Sequence, residues 1–170
     1  MCRAAAVSTF VSVGNANQPF TRLLDAITAC ADLLPKPIVV QHGHTPFNDP
    51  RCEGHAFLSM DQFVEQIRSA EVVIVHAGAG SVIHTIRERK VPVVMPRRAK
   101  YGEHVDDHQQ ELALALAEEG KLVVVDDVAS LLSAVDKARA MQEKSGSKDI
   151  EIPPMVKVVE NLLTALAADS

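Results

Sequence analysis

Residues Val72 to Ser81 of this 170-residue chain read V-V-I-V-H-A-G-A-G-S. Four β-branched residues in a row predict a strand that is buried on both faces, as in a parallel sheet covered by helices. A turn with two glycines follows the strand, and apolar residues then recur at helical spacing from Ser81 to about Arg89. A strand, a glycine turn and a helix in this order form the repeating unit of a doubly wound α/β fold.

The rest of the chain alternates in the same way. We predict strands at Thr9–Val13, Ile38–Gln41, Ala56–Leu58, Val72–Val75, Pro92–Met95 and Leu122–Val125. We predict helices after Pro19, after Ser59, from Ser81, over Glu103–Glu119, over Val128–Met141 and over Met155–Ala167. Residues 42–55 are rich in glycine, proline, asparagine and aspartate, which indicates a loop instead of a crossover helix. The pattern predicts a Rossmann-like, doubly wound parallel sheet in residues 1–150, with residues 151–170 as a C-terminal helix and tail of the same domain.

The composition narrows the class of protein. A net charge of −5, one tyrosine and no tryptophan argue against a nucleic-acid-binding protein, because such proteins carry a basic excess and stacking side chains. Three cysteines without C-x-x-C spacing indicate reduced thiols in a cytosol. The sequence shows neither an apolar run of about 20 residues nor a signal-peptide pattern at its start. We therefore expect a cytoplasmic protein.

Two glycine turns are predicted to meet at one edge of the sheet. Gly14 and Asn15 follow the first strand, and the turn His76–Ser81 follows the fourth. In the common strand order 3-2-1-4-5-6, the first and fourth strands flank the topological switch point, where ligands bind beyond the strand ends. Both turns would then line one crevice.

The turn His76–Ser81 has the chemistry of a phosphate site. Gly78 and Gly80 allow the backbone to approach a ligand closely, the helix that follows directs free N–H groups at it, and Ser81 adds a hydroxyl. The alternative is a tight strand-to-helix turn without a ligand. The turn is not a Walker loop, because no Lys-Ser or Lys-Thr pair follows, and it lacks the full G-x-G-x-x-G spacing of dinucleotide sites.

A third segment leaves the fifth strand towards the same rim and reads R-R-A-K-Y-G-E-H-V-D-D-H-Q-Q, from Arg97 to Gln110. Its basic residues Arg97, Arg98 and Lys100 can neutralise a diphosphate; the alternative is that they form a solvated basic turn. His104 and His108 are four residues apart, but two histidines without a distant third ligand are weak evidence for zinc, so no metal site is predicted. Hydrogen bonding of His108 and Gln109 to a sugar or ribose suits their imidazole and amide groups better.

Four motifs, with their joint spacing, resemble the C-terminal domain of glycosyltransferase family 28 over residues 9 to 140. They are F-V-S-V-G-N-x-x-Q-P-F at 10–20, V-V-I-V-H-A-G-A-G-S at 72–81, V-P-V-V-M-P-R at 91–97 and G-E-H-V-D-D-H-Q at 102–109. The chain is most similar to the small stand-alone members of the family. These include the catalytic subunit of the two-part dolichol-linked N-acetylglucosamine transferase and bacterial exopolysaccharide and capsule counterparts.

The resemblance implies the C-terminal half of a GT-B glycosyltransferase that binds the UDP part of a UDP-sugar substrate without a further cofactor. A membrane-anchored partner subunit would supply the other Rossmann-like half and the side that receives a lipid-linked acceptor. Together they would transfer a hexose-type sugar in glycan or polysaccharide synthesis, with this chain peripheral to the membrane through its partner. Gly78, Gly80 and Ser81 would hold the diphosphate, and His108 and Gln109 would contact the ribose, phosphate or sugar of the donor.

Of the other predicted site residues, one agrees with the family and two depart from it. Arg97 stands where the stand-alone members have an arginine, and it is the candidate for stabilising the leaving group. No general base is identified in this chain, and we expect it in the partner. Related enzymes have Glu or Asp at the position of His84, where a carboxylate binds the ribose hydroxyls, and Thr or Ser at the position of Asn15.

These departures keep two other functions open. A non-catalytic subunit that binds the nucleotide sugar, or that stabilises the complex, is the alternative that His84 favours. A nucleotide-dependent dehydrogenase is disfavoured, because no acidic residue stands about 20 positions beyond a G-x-G-x-x-G loop.

Overall fold

The computed structural model describes residues 8–145 of the chain. In this part of the chain six strands form one all-parallel sheet in the order β3-β2-β1-β4-β5-β6. The strands are β1 Thr9–Ser12, β2 Ile38–Gln41, β3 Cys52–His55, β4 Val72–His76, β5 Val93–Met95 and β6 Val123–Val124. The helices are α1 Thr21–Cys30, α2 Met60–Ser69, α3 Ala79–Arg87, α4 His108–Glu118 and α5 Leu131–Ser145. The predicted Rossmann-like fold and its strand order are confirmed.

Helices cover both faces of the sheet because successive strand residues point to opposite sides. In β1, Val11 belongs to the core layer that contains residues of α1 and α5. Its neighbour Phe10 belongs to the other layer, with residues of α2, α3 and α4, and its ring meets that of Phe63 edge-on at 5.5 Å between centroids. The buried strands of a sheet covered on both faces are therefore apolar throughout, as the run Val72–Val75 predicted.

The start of α2 confirms a local prediction. The Ser59 side chain accepts a hydrogen bond from the backbone N–H of Gln62, and the Gln62 side chain accepts one from the backbone N–H of Ser59. This reciprocal capping box satisfies two backbone donors that the first helical turn leaves without partners.

The third strand lies at Cys52–His55, so the prediction of Ala56–Leu58 was wrong. The observed strand reads C-E-G-H and lies at the sheet edge, where it pairs with β2 from Ile38↔Cys52 to Gln41↔His55. An edge strand with exposed residues has no apolar pattern to reveal it, and the pairing with β2 decides its position.

Helix α4 begins at His108, five residues after the predicted start at Glu103. Gly102 adopts a left-handed conformation with φ of 69°, which ends the preceding turn. The carboxylate of Glu103 accepts hydrogen bonds from Arg22 and from the backbone N–H of Arg98, and these contacts hold residues 96–107 as an ordered loop.

The predicted helix Met155–Ala167 lies outside the described residues. Between residues 8 and 145, no helix combines the length and the apolar character that a membrane span requires.

Candidate functional site

A cavity of about 290 Å³ lies at the carboxyl ends of β1 and β4, which is the topological switch point of the sheet. Seven of the ten predicted donor-binding residues line it: Gly14, Asn15, His76, Gly78, Gly80, Ser81 and His84. The two glycine turns therefore meet at one crevice, as their positions after β1 and β4 predicted.

The imidazole of His76 lies between the two turns, and glycines on both sides make room for it. A Cβ atom on Gly14 would lie 2.3 Å from His76 Nε2, and one on Gly78 would lie 2.0 Å from His76 Cε1. Gly14 also has φ of 79°, a conformation that side-chain-bearing residues rarely adopt. These two glycines thus serve the packing of His76. Gly80 differs, because a Cβ atom there would meet nothing within 4 Å.

The hydrogen bonds of His76 select one neutral tautomer. The backbone N–H of Gly78 donates to Nδ1 at 3.0 Å, so the proton of the neutral ring lies on Nε2. Ser81 Oγ lies 3.3 Å from Nε2 and accepts from it. The hydroxyl proton of Ser81 then points away from the ring, and Ser81 lines the cavity. His76 orients the Ser81 hydroxyl as a donor.

Burial lowers the pKa of His76 to about 3, and the positive charge of Arg97 acts in the same direction. A hydrogen bond with Gln109 opposes these two effects. The imidazole is therefore neutral at physiological pH, and it keeps the tautomer that its neighbours select.

Helix α3 begins at the cavity with Gly78 as its N-cap, and no side chain caps it. The first backbone N–H groups of a helix have no intrahelical acceptor, and the helix dipole adds positive potential at this end. Because Gly80 faces open space, a ligand can approach these groups without steric hindrance. The arrangement favours an anion.

Two polar residues at the back of the cavity, Ser12 and Gln41, were not predicted. Ser12 Oγ accepts from the backbone N–H of Gly14 at 3.2 Å and donates to Gln41 Oε1 at 3.3 Å. The Gln41 amide in turn donates to Asn15 Oδ1 at 3.5 Å. Both are polar residues at the carboxyl end of a buried strand, and that position was the signal in the sequence that could have identified them.

The opposite wall is apolar and was also missed. Leu58, Met60 and Phe63 line it, and the ring of Phe63 lies 6.4 Å from that of His84 between centroids. His84 is half-buried on α3 and lines the cavity, and its contact with a ribose stays a prediction.

A family model described as the glycosyltransferase family 28 C-terminal domain matches residues 8–161, which is most of the chain. The chain belongs to this family. A comparison with curated proteins gave no match.

Solved structures share the fold of this family 28 domain. It is similar to the glycotransferase of kitacinnamycin (TM-score 0.65, 19% identity, 85% of this chain and 39% of that one). It is also similar to CalG4, the calicheamicin glycosyltransferase (TM-score 0.61, 20% identity, covering 84% of this chain and 38% of that one). The NMR structure of ALG13 matches along nearly its whole length (TM-score 0.54, 17% identity, covering 92% of this chain and 94% of that one). The family 28 domain thus spans about two fifths of the first two enzymes, whose folds match it as GT-B C-terminal domains.

Three predicted donor-binding residues lie outside the cavity of the family 28 domain. Arg97 is completely buried, and its guanidinium donates to backbone carbonyls. Gln109 contacts the site indirectly, because its Oε1 accepts from the backbone N–H of Arg97 at 3.4 Å and its side chain raises the pKa of His76 against the effect of burial. His108 is 80% exposed beside Glu111. Direct contact of these three residues with a donor stays a prediction.

Proposed function

We propose that this domain binds the UDP part of a UDP-sugar at the switch-point cavity and is the donor-binding half of a glycosyltransferase. The observation that carries the proposal is the uncapped amino end of α3 facing the cavity beside a neutral His76 and an oriented Ser81 hydroxyl. Backbone amides and a hydroxyl are suitable ligands for a diphosphate.

In this proposal the same groups stabilise the products. When the bond between the sugar and UDP breaks, negative charge develops on the diphosphate. Fixed N–H donors and a helix dipole stabilise that charge without rearrangement, and such electrostatic stabilisation is usually the largest contribution to catalysis. Among the described residues that line the cavity there is no lysine or arginine; the lining residue His76 is neutral, and Arg97 is completely buried outside the lining.

The acceptor site belongs to a second half in this proposal. The cavity of about 290 Å³ is at the lower end of the volumes of small-molecule sites, and the chain spans 39% and 38% of two glycosyltransferases with the same fold. We propose that a membrane-anchored partner completes the cleft and supplies the general base. The complex would transfer a hexose-type sugar to a lipid-linked acceptor.

A second function, a non-catalytic subunit that binds the nucleotide sugar, is favoured by His84. An imidazole that faces the cavity offers one acceptor, whereas a carboxylate offers two oxygens for the paired hydroxyls of a ribose. Activity of the complex separates the two functions, because a binding subunit confers affinity for UDP without transfer.

The test is thermal and chemical unfolding of the full chain with UDP, with NAD and with EDTA. UDP at 100 times its dissociation constant should add about 2.7 kcal/mol to the free energy of unfolding. NAD and EDTA should change nothing.

Gly80→Asp is the matched variant. The new side chain enters open space, so the fold should persist, while its negative charge opposes the diphosphate. A wild-type protein that no uridine nucleotide stabilises at millimolar concentration would contradict the proposal.

A further inference from the structure

The most unusual buried group in the described part of the chain is the guanidinium of Arg97, which is 0% exposed. Nη1 donates to the backbone oxygens of Gln18 at 2.8 Å and Glu103 at 2.9 Å, and Nη2 donates to that of Val13 at 2.7 Å. The guanidinium also lies over the ring of Phe20, 4.8 Å from its centroid. One arginine from the loop after β5 thus holds both ends of the loop after β1.

Stability alone is a weak reason for such a residue. Burial lowers the pKa of Arg97, and the Glu103 carboxylate opposes that shift only in part. That carboxylate makes its bidentate contact with Arg22 instead. Within residues 8–145, Arg97 Nε has no hydrogen-bond partner. Replacing a buried ionic group by apolar residues is often neutral or stabilising, so a group of this kind is better explained by the geometry that it imposes.

The geometry it imposes is that of the donor cavity. Val13, whose carbonyl receives the shortest of the three hydrogen bonds, directly precedes Gly14. Gly14 has positive φ and packs against the His76 ring, whose Nε2 donates to Ser81. A shift of the Val13 carbonyl therefore moves Gly14, then the imidazole, then the hydroxyl that lines the cavity.

In place of the direct donor contact that the sequence predicts for Arg97, we propose that Arg97 is a positioning residue, which fixes the Val13–Gly14 turn and through it His76 and Ser81. The expected effect of Arg97 on the affinity for UDP rests on the proposed function. The contact itself is a property of the protein without ligand.

The first measurement uses the wild-type chain without any variant. The guanidinium signals of Arg97 in 15N–1H NMR spectra should be protected from exchange with water, and they should show coupling through the hydrogen bond to the Val13 carbonyl carbon. UDP should leave these signals in place. Rapid exchange without ligand would show that the carbonyls do not hold the guanidinium. A large shift of the guanidinium signals on adding UDP would show a direct contact. Either result would overturn the inference.

The second measurement compares Arg97→Lys with Arg51→Lys. Arg51 also holds a loop, by hydrogen bonds to a backbone oxygen and to Asp49. It lies at the amino end of β3, whereas the cavity lies at the carboxyl ends of the strands. Arg97→Lys should shift the Gly14 and Gly78 amide signals and the His76 ring signals, and it should weaken UDP binding in calorimetry about tenfold or more, since an ammonium cannot reach three carbonyls at once. Arg51→Lys should leave both unchanged within about twofold.

Weaker UDP binding in Arg97→Lys with unmoved Gly14 and His76 signals would overturn the inference. If wild-type protein fails to bind UDP, the proposed function fails, while the spectra without ligand still decide the role of Arg97. If Arg97→Lys does not fold, the wild-type guanidinium signals decide it.

Discussion

Replacing Gly78 by alanine tests whether the glycines of the turn serve His76. The new methyl carbon would lie 2.0 Å from His76 Cε1 and 2.7 Å from Nε2, far inside ordinary contact distance. Gly14 also packs against the ring, so the imidazole can yield only by leaving its present position between the two glycines. The backbone at Gly78 has φ of −67° and ψ of 129°, which alanine adopts freely. The contact with His76 is therefore the main cause of destabilisation, and a smaller loss is expected because alanine is a poorer N-cap residue of α3 than glycine.

The expected loss follows from two contributions. Forcing an extra methyl group into a packed site costs about 1–3 kcal/mol. Displacing the imidazole also breaks the hydrogen bond from the Gly78 N–H to Nδ1, which contributes about 1 kcal/mol. We expect Gly78→Ala to lower the free energy of unfolding by about 2–4 kcal/mol, a large part of the 5–15 kcal/mol typical of a domain.

Urea unfolding of four proteins provides the assay: wild type, Gly78→Ala, His76→Ala and the double variant. Without the imidazole the methyl group no longer meets the ring, so in the His76→Ala background Gly78→Ala should cost only the smaller N-cap contribution. Gly80→Ala is the control in the same turn, and it should be neutral or stabilising by up to about 1 kcal/mol, because it adds a methyl group in open space on a helix. A Gly78→Ala loss that is equal in both backgrounds would refute the reasoning.

Three further predictions concern the same cavity. With the pKa of His76 at about 3 in the folded chain and near 6.5 in the unfolded one, only the unfolded state binds this proton at pH 5, so wild type should lose about 2 kcal/mol more than His76→Gln between pH 7 and pH 5 in urea titrations. His84→Glu should tighten UDP binding several-fold in calorimetry by offering two acceptors to the ribose, and unchanged affinity would place the ribose elsewhere. The chain alone should show negligible transfer to a lipid-linked acceptor, and adding the proposed membrane-anchored partner should make it active. Gly80→Asp should abolish that activity without unfolding the domain. Efficient transfer by the chain alone would contradict the half-enzyme proposal.

Where burial dictates both local structure and residue type, the sequence predicted the fold correctly. The β-branched run Val72–Val75 lies at the centre of a covered sheet, so its pattern is unambiguous. The edge strand Cys52–His55 was missed because it forms only through pairing with β2, which is a tertiary interaction. Helix α4 was predicted too long for a related reason, since hydrogen bonds between distant residues, such as Arg22 to Glu103, keep the preceding loop from becoming helical.

The glycine turn His76–Ser81 shows why the site was harder to predict than the fold. A missing Cβ has the same appearance in a sequence whether it admits a ligand or a neighbouring side chain. In the structure, Gly78 admits the imidazole of His76, and Gly80 opens the amino end of α3 to the cavity. The distinction depends on Gly14, 62 positions away from His76 in the chain, and on Arg97, whose bond to the Val13 carbonyl fixes that turn. A ligand site built on such contacts can be located from its motif, but the role of each residue in it follows only from the fold that brings them together.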